Sequence, residues 1–592
     1  MELKNRAEMD PKFMWDLSHI FKDKEAWEKA YAEAAEAVQT VAAIKGTLGN
    51  SAESFKAGLD AVAAATQKVE LVYIYANLQK SGDNGSPENQ EMEARAISLY
   101  VAYSTAMSFF DPELLSIPED KLNEYIEAAP LYKHIVEDTC RARKHTLDEE
   151  RERMLAMLGD AAQSPNNSFE MLESVDITFP PIKDKNGNET VLTHGNFGVF
   201  RESADQRVRR DAFEIYFGEF KKYINTFAAM YSGSVKFDCY FANVRNYPSA
   251  CEAALFSSNV PISVYDSLIS AVHDALPLMR RYLDLRKKAL GLDTLNLYDL
   301  YCPIVENAES KMEHEDAKTL VKKALEPLGE DYQKLLDKAY NEGWIDVYEN
   351  KGKTTGAFAC GVYGVHPYVL LNFTNTLDDA FTLAHELGHA MHSYLSAENN
   401  EYINSNYKIL VAEVASTVNE VLLTNYLLKT ETDPKRRAYI LNHLLESFRT
   451  TVFRQTLFAE FERTAHEMYQ NGQPLTAQSL SALYHQLNGL YYAGAENNEI
   501  MDVEWARIPH FYNAFYVYQY ATGFSSAVAI AGHIAEGGDP ANYLKFLTTG
   551  GSDYPLEELK IAGVDLTKPE TVTSAMKVFE ETIEEMEKAL FN

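Results

Sequence analysis

A helical spacing of apolar residues runs through most of this 592-residue chain. In SFKAGLDAVAAATQKVELVYIYANLQ, residues 54–79, apolar side chains recur every three or four positions, which gives a helix a buried face. Two short segments break the pattern. Residues 177–197 contain an Asn-Gly hairpin signal, and residues 354–373 have the pattern of two strands around a glycine-containing turn. The sequence therefore predicts a mainly α fold with small β elements.

The length of the chain indicates more than one packed unit, because a single hydrophobic core does not extend over 592 residues. The hairpin signal marks the first clear change along the chain. We therefore predict a boundary near residue 190, with a helical N-terminal domain over 1–190 and a second domain over 191–592. The second domain holds the candidate catalytic residues described below.

The composition excludes several classes of partner. A net charge of −32 would repel nucleic acid and anionic membrane surfaces, and there is no apolar run of 18 residues that predicts a membrane span. The five cysteines are scattered without a C-x-x-C pair, and the charged N-terminal segment lacks the apolar stretch of a signal peptide. We expect a cytoplasmic protein; its oligomeric state, monomer or homodimer, stays open.

The segment FTLAHELGHAMHSY, residues 381–394, contains the motif His-Glu-x-x-His. On a helix, His385 and His389 project from one face, where both rings can reach one zinc ion at roughly 2.0–2.1 Å. Glu386 is rotated away from the two ligands, which suits a base acting on water rather than a ligand. Surface histidines are the alternative, but the apolar neighbours of Glu386 argue against it.

The sequence around this motif predicts its helix. Thr376 and Asp379 form a capping-box pattern, so we expect a helix from about 377 to 397. Gly388 lies inside that helix at a cost of about 1 kcal/mol. Its presence indicates that another segment of the chain approaches closely at this point.

A third ligand is expected outside the motif. His392 lies on the same helical face, but reaching the same ion would strain a straight helix, so we expect it to support the ligands. The segment YKILVAEVASTVNEVLLTNYLL, residues 407–428, is apolar on nearly all sides and predicts a buried helix. Glu413 and Glu420 are seven residues apart and share one face of this helix. Glu413 is the predicted third ligand, and Glu420 is predicted to orient a ligand imidazole.

A buried salt bridge is the alternative explanation for these two carboxylates. The only basic residues nearby in the sequence are Lys408 and Lys429, at the two ends of the segment. A metal ion therefore explains the carboxylates better than a basic side chain does.

These motifs closely resemble the oligoendopeptidase F group of the thimet-oligopeptidase-like zinc metallopeptidases. The resemblance covers GAFACGVYGVHPYVLLNF, the histidine motif, AEVASTVNE and HFYNAFYVYQYATGFSSA, and it extends to both ends of the chain. It implies a mainly α, prolate, two-lobed fold with a deep substrate channel and a small β-sheet near the active site. It also implies His385, His389 and Glu413 as zinc ligands and Glu386 as the catalytic base.

The resemblance further implies a cluster of histidine and tyrosine residues that binds substrate and the oxyanion. The matching stretch is RIPHFYNAFYVYQYATG, where the spacing of Tyr512, Tyr516 and Tyr520 predicts one helical stripe. We assign the oxyanion to Tyr516, with His510 as the second candidate. Tyr512 and Tyr520 are predicted to bind substrate, with aromatic packing as the alternative for both.

The predicted activity is zinc-dependent hydrolysis of internal bonds in short, unfolded oligopeptides. The strand around Gly356, Ala357 and Phe358 is a candidate edge for pairing with an extended substrate, with a purely structural hairpin as the alternative. A zinc carboxypeptidase and a catalytically silent peptide-binding protein are the competing functions.

Overall fold

The computed structural model describes residues 3–305 and 311–591, and α-helices form most of this part of the chain. The mainly α prediction is confirmed. In chain order the α-helices are α1 (Lys24–Ile44), α2 (Ala52–Gly82), α3 (Pro87–Met107), α4 (Phe110–Ser116), α5 (Glu119–Ala128), α6 (Lys133–Arg141), α7 (Glu149–Met171), α8 (Phe197–Arg201), α9 (Gln206–Lys222), α10 (Ile224–Val244), α11 (Ala250–Phe256), α12 (Ile262–Asp274), α13 (Leu276–Ala289), α14 (His314–Ala324), α15 (Glu330–Asn341), α16 (Leu377–Asn399), α17 (Ile409–Thr430), α18 (Pro434–Ser447), α19 (Arg454–Gln470), α20 (Ala477–Tyr491), α21 (Tyr518–Ala535), α22 (Ala541–Leu547), α23 (Pro555–Ile561) and α24 (Glu570–Phe591).

Short helical turns of other types connect these helices. The 3-10 turns cover Arg6–Glu8, Pro11–Phe13, Leu17–His19, Pro130–Tyr132, Ala142–His145, Leu297–Asp299, Glu326–Leu328, Tyr402–Asn404, Glu499–Arg507 and Pro509–Tyr512, and π-helical turns cover Leu172–Asp176 and Phe448–Phe453. In the described residues, no helix is both long enough and apolar enough to cross a bilayer.

Two small sheets lie where the sequence shows β patterns. The strands are β1 (Pro181–Lys183), β2 (Glu189–Val191), β3 (Ile345–Asp346), β4 (Phe358–Cys360) and β5 (Tyr368–Leu370). Strands β1 and β2 form the predicted antiparallel hairpin, with Gly187 at φ 85° in its turn. The second sheet has the order β3-β5-β4, so β4 pairs only with β5 among the described residues.

Strand β3 was not predicted, because the sequence indicated continued helix past residue 345. Its two residues are too few to show an alternating pattern. The pairing is parallel to β5 and includes hydrogen bonds from the Val369 N–H to the Trp344 carbonyl (2.9 Å) and from the Leu371 N–H to the Asp346 carbonyl (2.8 Å). A contact between segments this far apart in sequence has no local signal.

The described chain packs as two units. The first comprises Met1–Thr146, Ser310–Tyr426 and Ile530–Gly563, and the second comprises Leu147–Glu309, Leu427–Ala529 and Val564–Asn592. The boundary predicted near residue 190 falls inside the first segment of the second unit. The division into an N-terminal domain over 1–190 and a catalytic domain over 191–592 stays a prediction.

The core of the first unit joins its N-terminal helices to the second sheet. Trp27 of α1 and Phe55 of α2 are fully buried in one hydrophobic cluster with Tyr368 and Leu370 of β5. The Trp27 indole N–H donates to the Val72 carbonyl at 3.0 Å, so this buried tryptophan also has its polar atom satisfied. Sheet and helices therefore form one support for the site described next.

Candidate metal centre

Helix α16 carries the histidine motif and begins where the capping box predicts. The Asp379 N–H donates to Thr376 Oγ1 at 3.2 Å, and the Thr376 N–H donates to Asp379 Oδ2 at 2.7 Å. The helix runs to Asn399, close to the predicted end at 397. These reciprocal bonds fix the first turn, and with it the direction in which the motif's side chains project.

Helix α17 lies directly against α16 at Gly388, as the glycine predicts. A Cβ atom at Gly388 would lie 2.5 Å from Ser416 Cα and 2.6 Å from the Ala415 carbonyl oxygen. A hydrogen bond also joins the two helices, because the Asn419 amide of α17 donates to the Ala384 carbonyl of α16 at 3.0 Å. Only glycine leaves room for this approach, which brings the acidic side chains of α17 next to the histidines of α16.

Three side chains from the two helices converge on one point. His385 Nε2 lies 3.2 Å from His389 Nε2, and Glu413 Oε2 lies 3.6 Å from the first nitrogen and 3.8 Å from the second. Two ligands of a tetrahedral zinc ion with bonds of roughly 2.0–2.1 Å are about 3.3 Å apart. The donor triangle therefore has the size and the chemistry, two imidazoles and one carboxylate, of a zinc site that keeps its fourth position open.

Both ligand imidazoles are held by a further hydrogen bond. His385 Nδ1 lies 2.5 Å from Glu420 Oε1, which is the contact that the sequence predicts for Glu420. The His389 ring donates to the carbonyl of Ala412, one residue before Glu413. A donor hydrogen on the far side of the ring leaves the nitrogen that faces the triangle free to bind a metal ion.

Burial and mutual charge shift the pKa values in this cluster. Burial disfavours the charged His385 ring, but the hydrogen bond and charge of Glu420 outweigh it and raise the pKa of His385 to about 9. Burial, together with the charge of His385, lowers the pKa of His389 to about 3. Metal ions bind neutral imidazoles, so ion binding would displace the proton from His385.

Glu386 lies next to the triangle without belonging to it. Its side chain is buried, and its Oε2 atom has no hydrogen-bond partner in the part of the chain that the structure describes. Burial raises the pKa of Glu386 to about 7, close to the value that suits a group exchanging protons at neutral pH. Its burial and raised pKa suit a base, and that role stays a prediction.

The two acidic side chains of α17 are less buried than predicted. Val414 and Val418 are fully buried, as the apolar sequence indicates. However, the side chains of Glu413 and Glu420 are 30% and 28% exposed, because both lie on the one open face of the helix. Burial alone therefore does not require a metal ion here, and the convergence of donor atoms carries the assignment.

His392 lies outside the donor triangle, as expected. Its fully buried ring stacks on Tyr407, with ring centres 3.6 Å apart and planes inclined by 6°. Neither ring nitrogen has a hydrogen-bond partner among the described residues. His392 thus packs the base of α16 instead of supplying a third nitrogen ligand.

The predicted substrate edge lies beside α16. Gly356, at φ 82°, turns the chain into β4, and its carbonyl accepts a hydrogen bond from the Asn372 amide at 2.8 Å. Gly356 and Ala357 line a cavity of about 250 Å³ together with Thr382 of α16, and Phe358 begins the edge strand. The role of these residues in substrate binding stays a prediction.

Three of the four predicted His and Tyr residues form a cluster in the second unit. The ring centre of His510 lies 6.0 Å from that of Tyr516 and 5.9 Å from that of Tyr520, and the two tyrosine rings are 5.5 Å apart. His510 Nε2 also lies 3.4 Å from the Tyr520 hydroxyl. Their assignment to the oxyanion or to substrate stays a prediction.

The single helical stripe predicted for Tyr512, Tyr516 and Tyr520 is wrong. Tyr512 ends a 3-10 turn and α21 begins only at Tyr518, because Phe515 takes φ 58° and breaks the helical path. Tyr512 instead stacks on Phe169 with ring centres 4.5 Å apart. This position favours the packing alternative for Tyr512.

Sequence comparison identifies the class of protein. The sequence model of Peptidase family M3 matches residues 199–578, and that of Oligopeptidase F matches residues 113–179. The chain is 44% identical to the Oligopeptidase PepF of Bacillus subtilis (strain 168), over 100% of this chain and 89% of that protein. The chain belongs to peptidase family M3. It is a peptidase, and the resemblance that its motifs indicate is confirmed.

Further relatives of this M3 peptidase support the same grouping. It is 39% identical to the plasmid-encoded Oligoendopeptidase F of Lactococcus lactis subsp. cremoris, over 99% of this chain and 98% of that protein. The crystal structure of oligoendopeptidase-F from Enterococcus faecium matches with a TM-score of 0.75 and 37% identity, covering 95% of this chain and 99% of that chain.

Sequence reasoning missed two groups that shape the candidate metal centre. Asn419 is fully buried and joins the two helices, and the Tyr332 hydroxyl donates to its Oδ1 atom at 3.1 Å. A signal for it exists, since an amide inside an apolar helix needs hydrogen-bond partners. The Ala412 carbonyl has no such signal, because every residue carries one.

Proposed function

We propose that this M3 peptidase is a zinc-dependent endopeptidase that hydrolyses internal bonds of short, unfolded oligopeptides. The observation that supports zinc is the triangle of His385 Nε2, His389 Nε2 and Glu413 Oε2, whose edges of 3.2 to 3.8 Å match a tetrahedral site. The relatives named oligopeptidase and oligoendopeptidase support the substrate class.

In this proposal Glu386 moves the proton. Zinc, when bound, supplies Lewis acidity that polarises a peptide carbonyl and lowers the pKa of water. The Glu386 carboxylate accepts a proton from the attacking water and delivers it to the nitrogen of the leaving amine. Its burial outweighs the opposing charge of His385 and keeps the carboxylate basic enough for the first transfer.

The remaining residues position the substrate. Glu420 and the Ala412 carbonyl hold the ligand imidazoles in place. The edge of β4 offers backbone groups that can hydrogen-bond to an extended peptide. Such backbone pairing does not depend on the side chains of the peptide. The Tyr516 hydroxyl, with His510 as the second candidate, donates to the developing oxyanion.

The proposal also places the enzyme in a reducing compartment, the cytoplasm. All five cysteines are free thiols, and a sparse set of free thiols is typical of cytosolic proteins. Fractionation of cells that express the tagged chain checks the location.

The Glu386→Gln variant tests the activity. Zinc content, measured by mass spectrometry on purified protein, should stay near one ion per chain, while turnover of an internally cleavable, doubly blocked peptide should fall by about 10²- to 10⁴-fold. Glu398→Gln, an exposed carboxylate on the same helix, is the matched control and should keep both values.

Three results would redirect the proposal. Near-normal turnover by a zinc-containing Glu386→Gln enzyme would remove Glu386 from the reaction. Release of C-terminal residues from an unblocked peptide, with the blocked peptide left intact, would identify a carboxypeptidase. Zinc-loaded wild-type protein that binds peptides but cuts neither substrate would be a silent peptide-binding protein.

A further inference from the structure

A second cavity lies beside α16, beyond the metal ligands. It has a volume of about 260 Å³ and is lined by Glu70 of α2, Ala359 of β4, Ser393 of α16, and Tyr402 and Tyr407 of the following loop. Sites for whole drug-sized ligands usually measure about 300–1,000 Å³. This cavity therefore suits a single side chain of a larger ligand.

The cavity is next to both parts of the machinery proposed above. Ser393 follows His389 by one helical turn, which is roughly 6 Å along the axis. Ala359 belongs to the edge strand β4. Gly361, the residue directly after this strand, packs closely on Ser393, because an added Cβ atom there would lie 2.9 Å from Ser393 Cβ. A peptide paired with β4 would thus point one of its alternate side chains toward this cavity.

Glu70 is the chemical feature of the cavity. It lies in the middle of α2, half-buried, and none of the described residues that line the cavity is Lys, Arg or His. No ion-pair partner of Glu70 exists in the described part of the chain, and the Tyr402 hydroxyl is its hydrogen-bond donor. Burial raises the pKa of Glu70, and the Tyr402 hydrogen bond offsets only part of that rise.

The walls of the cavity are fixed in place. The Tyr407 hydroxyl lies 2.9 Å from Ser393 Oγ, and its ring is stacked on His392. Two glycines pack against the loop that carries Tyr402 and Tyr407. A Cβ atom at Gly550 would lie 2.3 Å from the Asn404 carbonyl oxygen, and the Gly551 N–H donates to that oxygen at 2.9 Å. The cavity is therefore formed before a ligand enters it.

We propose that this cavity is a substrate subsite that selects a basic side chain, lysine or arginine, and that Glu70 is its specificity-determining residue. The inference rests on the proposed endopeptidase function. An ammonium or guanidinium group would supply the positive charge that Glu70 lacks, while its aliphatic stem packs between Ala359 and the tyrosine rings. Since an extended chain advances about 3.3 Å per residue, the selected residue lies within about two positions of the cleaved bond.

The experiment uses doubly blocked peptides that share one cleavage site. At each position around that site, lysine, glutamine or glutamate is placed in turn, and kcat/KM is measured for zinc-loaded enzyme. At one position the wild type should prefer lysine over glutamine by about 10- to 100-fold, the range for a hydrogen bond to a charged group. The preference should shrink as salt is raised, because salt screens a partly exposed charge pair.

Two variants of Glu70 then test the residue itself. In Glu70→Gln, which keeps the shape of the side chain, the lysine-to-glutamine ratio at that position should fall to about 1. In Glu70→Lys the preferred residue should become glutamate. Glu36→Gln, an exposed carboxylate on α1, is the matched control and should keep the wild-type ratio.

The ratio separates this inference from the proposed function. A wild type that cuts internal bonds with no lysine preference at any position overturns the subsite and leaves the endopeptidase intact. A lysine preference that Glu70→Gln retains in full also overturns it. A zinc-loaded wild type that cuts none of the peptides refutes the endopeptidase function, and the subsite with it.

Discussion

The contact between Gly388 and α17 permits a direct test of how the candidate metal centre is built. In Gly388→Ala the new Cβ would lie 2.5 Å from Ser416 Cα, 2.6 Å from the Ala415 oxygen and 2.8 Å from Ser416 N. All three are backbone atoms, so no side-chain rotation relieves the clash. Normal contact lies at about 3.5–4.0 Å, so the two helices must separate by about 1 Å.

The expected loss of stability follows from two opposing effects. Overpacking of this kind costs about 1–3 kcal/mol, and alanine regains about 1 kcal/mol of helix propensity relative to glycine. We therefore expect the metal-free variant to lose up to about 2 kcal/mol in free energy of unfolding. The separation also moves Glu413 away from both imidazoles, and a displaced ligand should weaken zinc binding by at least about 10-fold.

Chemical denaturation and competition with a chromophoric chelator measure these two quantities. Gly218→Ala is the matched control, because Gly218 lies inside α9 with no atom within 4 Å of the added Cβ. The control should gain up to about 1 kcal/mol and keep its zinc affinity. If Gly388→Ala behaves like Gly218→Ala in both assays, the helix contact does not determine the metal site.

Two further predictions concern single side chains. Tyr516→Phe should lower kcat by about 10²- to 10³-fold with a smaller change in KM. Tyr240 is an exposed tyrosine on α10, and the control variant Tyr240→Phe should match the wild type. Equal rates for both variants would assign the oxyanion role to another residue. Burial raises the pKa of Glu558 to about 8, so this carboxyl ionises more easily in the unfolded chain than in the folded one. The free energy of unfolding therefore falls by up to about 1.4 kcal/mol per pH unit between about pH 4.3 and pH 8. Glu558→Gln should therefore stabilise the protein strongly at pH 8 and little at pH 5, and equal gains at both pH values in urea denaturation would contradict this.

The parts of the fold that were predicted are those with a local repeat. Helix α16 could be placed from its capping box and apolar spacing, and the β1–β2 hairpin from Asn-Gly. The stripe through Tyr512, Tyr516 and Tyr520 failed although its spacing is helical. The reason is Phe515, which takes φ 58°. Nothing local marks a phenylalanine for that conformation, which surrounding packing must stabilise.

The candidate metal centre was predictable for a different reason. His385 and His389 are placed by helix geometry alone, and Glu413 stood out as a carboxylate in an apolar helix. What the sequence could not supply is the distance between the two helices, which depends on the backbone contact at Gly388 and on Asn419. The open position of Glu413 also went unpredicted, because an apolar helix predicts burial on average and not which face stays exposed.

If the donor triangle holds zinc as proposed, it links the ion to the packing of α16 against α17, and this link has a quantitative consequence. A zinc ion that binds only the folded chain adds RT ln(1 + [Zn]/Kd) to the free energy of unfolding. If Gly388→Ala weakens binding 10-fold, saturating zinc must stabilise the variant by about 1.4 kcal/mol less than it stabilises the wild type. The loss measured with zinc must therefore exceed the loss measured without zinc by that amount. Equal losses in the two states would show that Gly388→Ala leaves zinc binding unchanged, so that the ion does not depend on the contact between these helices.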